Sequence, residues 1–190
     1  MFPDVNFIIY HSGFETDRRE LGYEPSRAER GIDNLIKSLA DNGIGPGANV
    51  YAELGSTWRF LMRDPTSAAH ALGKLVRHVG EDNVLWGTDS IWYGSPQDQI
   101  QAFRTFQIGD KLVERHGYPP LTPSLKAKIF GLNGAKLYGV DPTVVMRHAE
   151  ADPIGHLKSA LERDPSFATY GPRNNAEYEA FLRVHGGVAL

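Results

Sequence analysis

The chain has 190 residues, with 41% hydrophobic and 23% charged side chains, a formal net charge of −3 and no cysteine. That length suits one domain with a real core, and the composition is that of a water-exposed globular chain. Disulfides and thiolate metal sites are excluded. The slight negative charge, without any basic stretch, gives no case for nucleic acid or an anionic membrane as partner. No apolar run approaches the ~18 residues of a membrane span, and the opening "MFPDVNFIIYHSG" lacks the basic start of a signal peptide. A cytoplasmic location is the default expectation. A strand-like segment begins within a few residues of Met1, as expected of a piece of a longer chain.

"VNFIIY" (5–10) is a nearly unbroken apolar run and predicts a strand buried on both faces, as in a parallel sheet. After a loop-like stretch, Ser26 and Glu29 form a capping-box pattern, and Ile32, Leu35, Ile36 and Leu39 follow at helical spacing until "DNG" at 41–43. "NVYAELG" (49–55) is the second strand. Asp64-Pro65 starts a helix whose apolar face is Ala68, Leu72, Leu75 and Val79. "NVLWGT" (83–88) is the third strand. Ser95-Pro96 opens a helix with Ile100, Phe103 and Phe106 inward, and a further helix fits 110–117. Thr122-Pro123 starts one with Leu125, Ile129, Leu132 and Ala135 on one face, stopping near Gly139. Strands alternating with helices imply parallel βα units. From about 141 the periodicity weakens. Short helices are expected near 154–163 and 174–184, in an extension that wraps the body or contacts another subunit.

Ligands of parallel α/β folds sit at the carboxyl ends of the strands. Those ends carry His11, then Ser12 and Gly13; Glu53, then Gly55, Ser56 and Thr57; and Thr88, Asp89 and Ser90. One His, one Glu and one Asp on successive strand ends can converge on one site, and an Asp with a His is a metal-ligand or proton-transfer set. Each residue also has a plain structural role open to it: Asp89 as a helix cap, His11 as a packed ring, Glu53 as partner to Arg59. His70 and His78 are expected on a solvated helix face. His116, His148, His156 and His185 have no partner spacing. Trp58, Trp86 and Trp92 read as core or pocket wall. There is no His-x-His, no His-Glu-x-x-His, no Gly-x-Ser-x-Gly and no glycine-rich phosphate loop after a strand.

"FPDVNFIIYHSG" resembles the sixth-strand segment of the amidohydrolase-related family, metal-dependent (β/α)8 barrels that include aminocarboxymuconate-semialdehyde decarboxylase. "NVYAELGS" resembles the seventh strand, "NVLWGTDSIW" the eighth, and "KIFGLNGAKLYGV" (128–140) the closing helix. The order and spacing match across residues 2–140. The resemblance implies a fold that is the C-terminal part of a TIM-type barrel, with about three parallel βα units over 1–140 and extra helices over 141–190. It implies that Asp89 and His11 act in catalysis and at a divalent metal, expected to be zinc. Glu53 and Trp92 are expected to contact a small-molecule substrate, for which Trp92, Tyr93 and Phe14 suggest aromatic or apolar character.

The expected function is a metal-dependent hydrolase or decarboxylase. The first-strand His-x-His and the first five strands of the family pattern are missing from this sequence, and three βα units cannot close an eight-stranded barrel. The chain is therefore expected to hold metal poorly alone and to associate with itself or with the missing half. The competing expectation is a truncated, non-catalytic remnant that works by self-association or partner binding. A compact three-stranded binding module is a third.

Overall fold

A computed structural model of the protein describes residues 2–155, 172 and 174–184. Three parallel strands, β1 (Phe7–Ile9), β2 (Val50–Glu53) and β3 (Val84–Leu85), form one sheet in that order. The register pairs Phe7 with Val50, Ile9 with Ala52, and Ala52 with Val84. Paired residues share a face, so Ile9, Val50, Ala52 and Val84 point into the core with the helices. Ile8, Tyr51, Glu53 and Leu85 point to the opposite face. α1 (Gly31–Asp41) links β1 to β2. α2 (Gly55–Leu61) and α3 (Pro65–His78) link β2 to β3. After β3 come α4 (Ser90–Tyr93), α5 (Gln97–Thr105), α6 (Asp110–His116), α7 (Pro123–Ala127), a π turn (Lys128–Leu132), α8 (Asn133–Tyr138) and α9 (Pro142–Glu150). The last described helix is α10 (Asn175–Val184). It folds back onto the body: Tyr178 is buried and its hydroxyl donates to Met62 O at 2.8 Å.

Several elements start where local chemistry says they should. The Asp64 carboxylate accepts from Ser67 N, and Thr122 Oγ1 accepts from Leu125 N. Each satisfies one of the amides a helix start leaves unpaired, with Pro at the first turn. α3 is then wrapped by the core: Ala68, Ala71, Leu72 and Leu75 are fully buried. Trp58 meets Phe103 edge-on at 5.0 Å and donates its indole N–H to Gln99 O, which fastens α2 to α5.

Other expectations fail for tertiary reasons. The first strand is not buried on both faces. It pairs only with β2 among the described residues, and Phe7 and Ile8 stay 41% and 37% exposed. Its apolar run lies at an open edge, the arrangement proteins ordinarily protect. The third strand is limited to Val84–Leu85, because Gly87 to Asp89 turn away to build the strand end. Ser26 and Glu29 do not cap α1. Pro25–Arg27 form a single 3₁₀ turn, Ser26 Oγ donates to Glu24, and the helix begins at Gly31, whose amide is accepted by the distant Glu15 carboxylate at 3.0 Å. The π turn adds a residue between α7 and α8 and rotates the helix face. Leu132 is therefore 48% exposed, and Asn133 is buried instead, donating to Glu81 O and Val84 O.

His70 also departs from expectation. It is 6% exposed, with Nδ1 at 2.9 Å from the Tyr118 hydroxyl. α3 is covered on that side by the segment after α6, so the face does not meet solvent. His78 is half-buried against Tyr23. The helix expected near 154–163 falls mostly outside the described residues, whereas the one expected near 174–184 is α10. No helix among the described residues is long and apolar enough to cross a membrane.

Candidate active site

All three strand-end residues meet. The chain leaves β1 through consecutive left-handed residues, His11 (φ 53°), Ser12 (φ 54°) and Gly13 (φ 70°). Left-handed backbone costs a non-glycine residue about 1–2 kcal/mol, so something must hold it. Glu53 Oε2 accepts from His11 N at 3.1 Å, Thr57 Oγ1 donates to His11 O at 2.6 Å, and Ser12 Oγ donates to Glu53 O at 2.8 Å. Each of these bonds ties the end of β1 to the end of β2 or the start of α2. The strain is thus paid by the neighbouring βα unit, a pattern concentrated at functional sites.

Asp89 is the third left-handed non-glycine residue (φ 49°). It sits just before α4, yet its carboxylate does not cap that helix. It turns instead towards the other strand ends. Oδ2 lies 2.7 Å from His11 Nε2, and it accepts from Ser56 N at 2.9 Å and from Ser56 Oγ at 2.6 Å. Burial pushes the Asp89 carboxyl upward, but the Ser56 hydroxyl, the His11 ring and the Ser56 amide outweigh it and hold it below the ordinary Asp value. Asp89 is therefore a carboxylate at neutral pH. Its charge is the main reason the neighbouring Tyr10 hydroxyl is raised above its usual value.

Glu53 behaves differently. Oε1 accepts from Gly55 N at 2.6 Å and Oε2 from His11 N, so both oxygens are spent on backbone amides. Burial raises its carboxyl above the ordinary Glu value in spite of those bonds. Two glycines make the room: a Cβ on Gly87 would lie 1.7 Å from Glu53 Oε1, and one on Gly55 would lie 2.8 Å from Glu53 Oε2. This is why the third strand runs into Gly-Thr-Asp. Arg59, the partner expected for Glu53, instead pairs with Asp98 at 2.7 Å.

Trp92 does not join the cluster; it is 79% exposed on α4. The adjacent Tyr93 does, with its hydroxyl 3.0 Å from Ser56 Oγ and its ring under the Arg59 guanidinium at 5.6 Å. Ser56 is the residue that strand-end reasoning undervalued. Its signal was position alone, three residues past Glu53 in the first turn of α2, where both an amide and a hydroxyl are available. Among the described residues no group of three or more His, Asp or Glu side chains is placed to hold a metal. His11 and Asp89 supply two donors, already bonded to each other, where even an open catalytic zinc site uses three protein ligands. These residues alone do not fit a resident metal.

The gliding motility regulatory protein of Myxococcus xanthus is 27% identical over 148 residues, covering 75% of this chain and 17% of that protein, so the chain spans a small part of that relative. No solved structure matches. The family model described as amidohydrolase matches residues 1–140, the stretch that holds the whole sheet and all three strand ends, and the chain belongs to the amidohydrolase family.

Proposed function

We propose that the chain carries one part of the active site of a metal-dependent hydrolase or decarboxylase acting on a small molecule, with His11 and Asp89 as its proton-handling pair. The observation that carries this reading is the 2.7 Å contact between them, made by two left-handed residues at the ends of parallel strands. Asp89, ionised, accepts the Nε2 proton of His11 and leaves Nδ1 with its lone pair. That nitrogen can take a proton from a water or from substrate, and the imidazolium so formed is stabilised by Asp89. Ser56 holds Asp89 from two sides. Glu53, with both oxygens committed, is a positioning residue that fixes His11 rather than a substrate contact.

The divalent metal implied by the family, zinc in the reading from sequence, needs at least one further ligand from outside the described residues. The open edge of β1, with Val5, Phe7, Ile8 and Tyr10 exposed, supports completion of the site by further barrel strands or by another copy of the chain.

The test is a panel of aryl esters, anilides and aryl carboxylates, assayed with zinc present, on wild type, His11→Gln and Asp89→Asn. Turnover that falls about 10²–10⁴-fold in both variants is expected, the range of a lost acid–base group. Turnover equal in all three proteins would overturn the assignment. A second reading, a non-catalytic module that binds a partner, is favoured by the same exposed β1 side chains and by the regulatory relative. It predicts complex formation that both variants leave intact, with no turnover in wild type.

A further inference from the structure

A polar cavity lies away from the strand ends and shares no residue with them. It occupies about 400 Å³ between the loop after β1, α3 and the end of α6. His70, His116, Arg115, Arg27, Tyr23 and Leu21 line it. Its back wall is built with care. The Tyr118 ring lies against Gly73, where a Cβ would come within 2.3 Å of it. The His116 ring stacks on Tyr118 at 5.1 Å, stands edge-on to His70 at 5.0 Å, and presses on Gly22, where a Cβ would come within 2.5 Å. Arg77 donates to His116 O and holds the turn after α6.

His70 is the informative residue. It is 94% buried by its 6% exposure, and its Nδ1 is bonded to the Tyr118 hydroxyl. Burial pushes the Tyr118 hydroxyl up to about 12 and, as the largest cause, His70 down to about 4, so at neutral pH both are uncharged. Nδ1 is the one acceptor for the Tyr118 hydroxyl proton among the described residues, and the assignment that satisfies this buried hydroxyl puts the ring proton on Nε2. That N–H has no protein acceptor among the described residues, and the ring lines the cavity. At the rim stand two guanidiniums. Arg27 is paired with Glu24, while Arg115 makes no ion pair or hydrogen bond among the described residues. The one carboxylate in the lining, Glu24, is occupied by Arg27 and Ser26. The lining thus offers unpaired donors in His70 Nε2–H and Arg115, beside the Tyr23 hydroxyl and the His116 ring, which carry acceptors as well.

We propose that this cavity is a binding site for a small oxyanion, a carboxylate or phosphate group, received by His70 Nε2–H at the back and Arg115 at the rim. Leu21 and Tyr23 offer an apolar wall for whatever carries the anion. Nothing in this assignment depends on the chemistry of His11 and Asp89.

Histidine ring resonances of the whole chain would be followed by NMR during titration with inorganic phosphate and, separately, with acetate, at pH 7.5 and constant ionic strength. Saturable shifts of the His70 and His116 rings are expected with at least one anion, and the tighter of the two identifies the oxyanion class. Arg115→Gln should weaken the affinity about 10-fold, the scale of one charged donor. Arg104→Gln, an exposed arginine elsewhere on α5, should leave it unchanged. Shifts that stay linear with both anions, or an affinity unmoved in Arg115→Gln, would overturn the proposal. So would an equal loss in Arg115→Gln and Arg104→Gln, which would mean screening of net charge.

Discussion

Two clusters in this protein use the same kinds of side chain and end in opposite states. At the strand ends, Asp89 and His11 are held on left-handed backbone beside Glu53 at the end of β2, and the His11 side chain keeps 34% of its surface exposed. Between the loop before α1, α1 itself and α3, Lys74 Nζ lies 2.5 Å from both Glu20 and Asp33, with Lys74 fully buried and the acids 2% and 6% exposed. Arg18 approaches Asp33 at 3.9 Å, so two acids meet two cations. Asp33 and Lys74 lie within ordinary helix. The buried cluster is charge-matched and unstrained, and its Lys74, Glu20 and Asp33 are shut off from water, with Glu20 Oε1 left without a hydrogen-bond partner among the described residues. The strand-end cluster is strained, partly open and short of a cation. Burial against opposite charge marks a group that holds the fold; strain with residual access marks one that can act.

The largest effect should come from breaking the buried network. Lys74→Met leaves two carboxylates without their main partner and should cost about 3–5 kcal/mol in urea unfolding; a loss below about 1 kcal/mol would erase the contrast. Next is acid. His70 titrates at about 4 when folded, below its ordinary 6.5. A folded value below the unfolded one means the unfolded chain takes up the proton first. The stability from keeping His70 neutral is complete above pH 6.5 and is lost as pH falls from 6.5 towards 4, by up to about 3 kcal/mol at 1.36 kcal/mol per pKa unit. Urea midpoints across that window should fall in wild type and fall less in His70→Gln. The smallest stability effect belongs to the strand ends. Asp89→Asn keeps a side chain that tolerates left-handed backbone and still accepts from Ser56, so it should change stability by less than about 1 kcal/mol while removing the charge that orients His11. A loss comparable to that of Lys74→Met would show that the strand-end cluster is structural too.

What could be read from the chain was local. Asp64-Pro65 and Thr122-Pro123 announced helix starts because the cap and the amide it serves lie three residues apart. The glycine after α1 and the one after α8 marked their ends, at Gly43 (φ 66°) and Gly139 (φ 66°). His11, Glu53 and Asp89 could be nominated because chain order in parallel βα units places strand ends on one edge. What could not be read involved residues far apart. The helix start at Gly31 depends on Glu15, sixteen positions earlier. The burial of His70 depends on Tyr118, 48 positions later. The single inserted residue of the π turn swapped Leu132 for Asn133 because Asn133 reaches the carbonyls of Glu81 and Val84.

The sequence by itself thus determined the order of the three strands and of most helices, the parallel βα grammar and which three side chains stand at the strand ends, since periodicity and caps act over a turn or two; α2, α4 and α9 were not legible in it. Only the tertiary structure decided how those side chains are used. Asp89 turned away from its own helix to His11 and Ser56, and Glu53 gave one oxygen to the His11 amide, because groups 33 to 78 residues apart were brought within hydrogen-bond distance. It also decided that the most apolar strand lies open, since burial is a property of what packs against a strand and not of the strand itself.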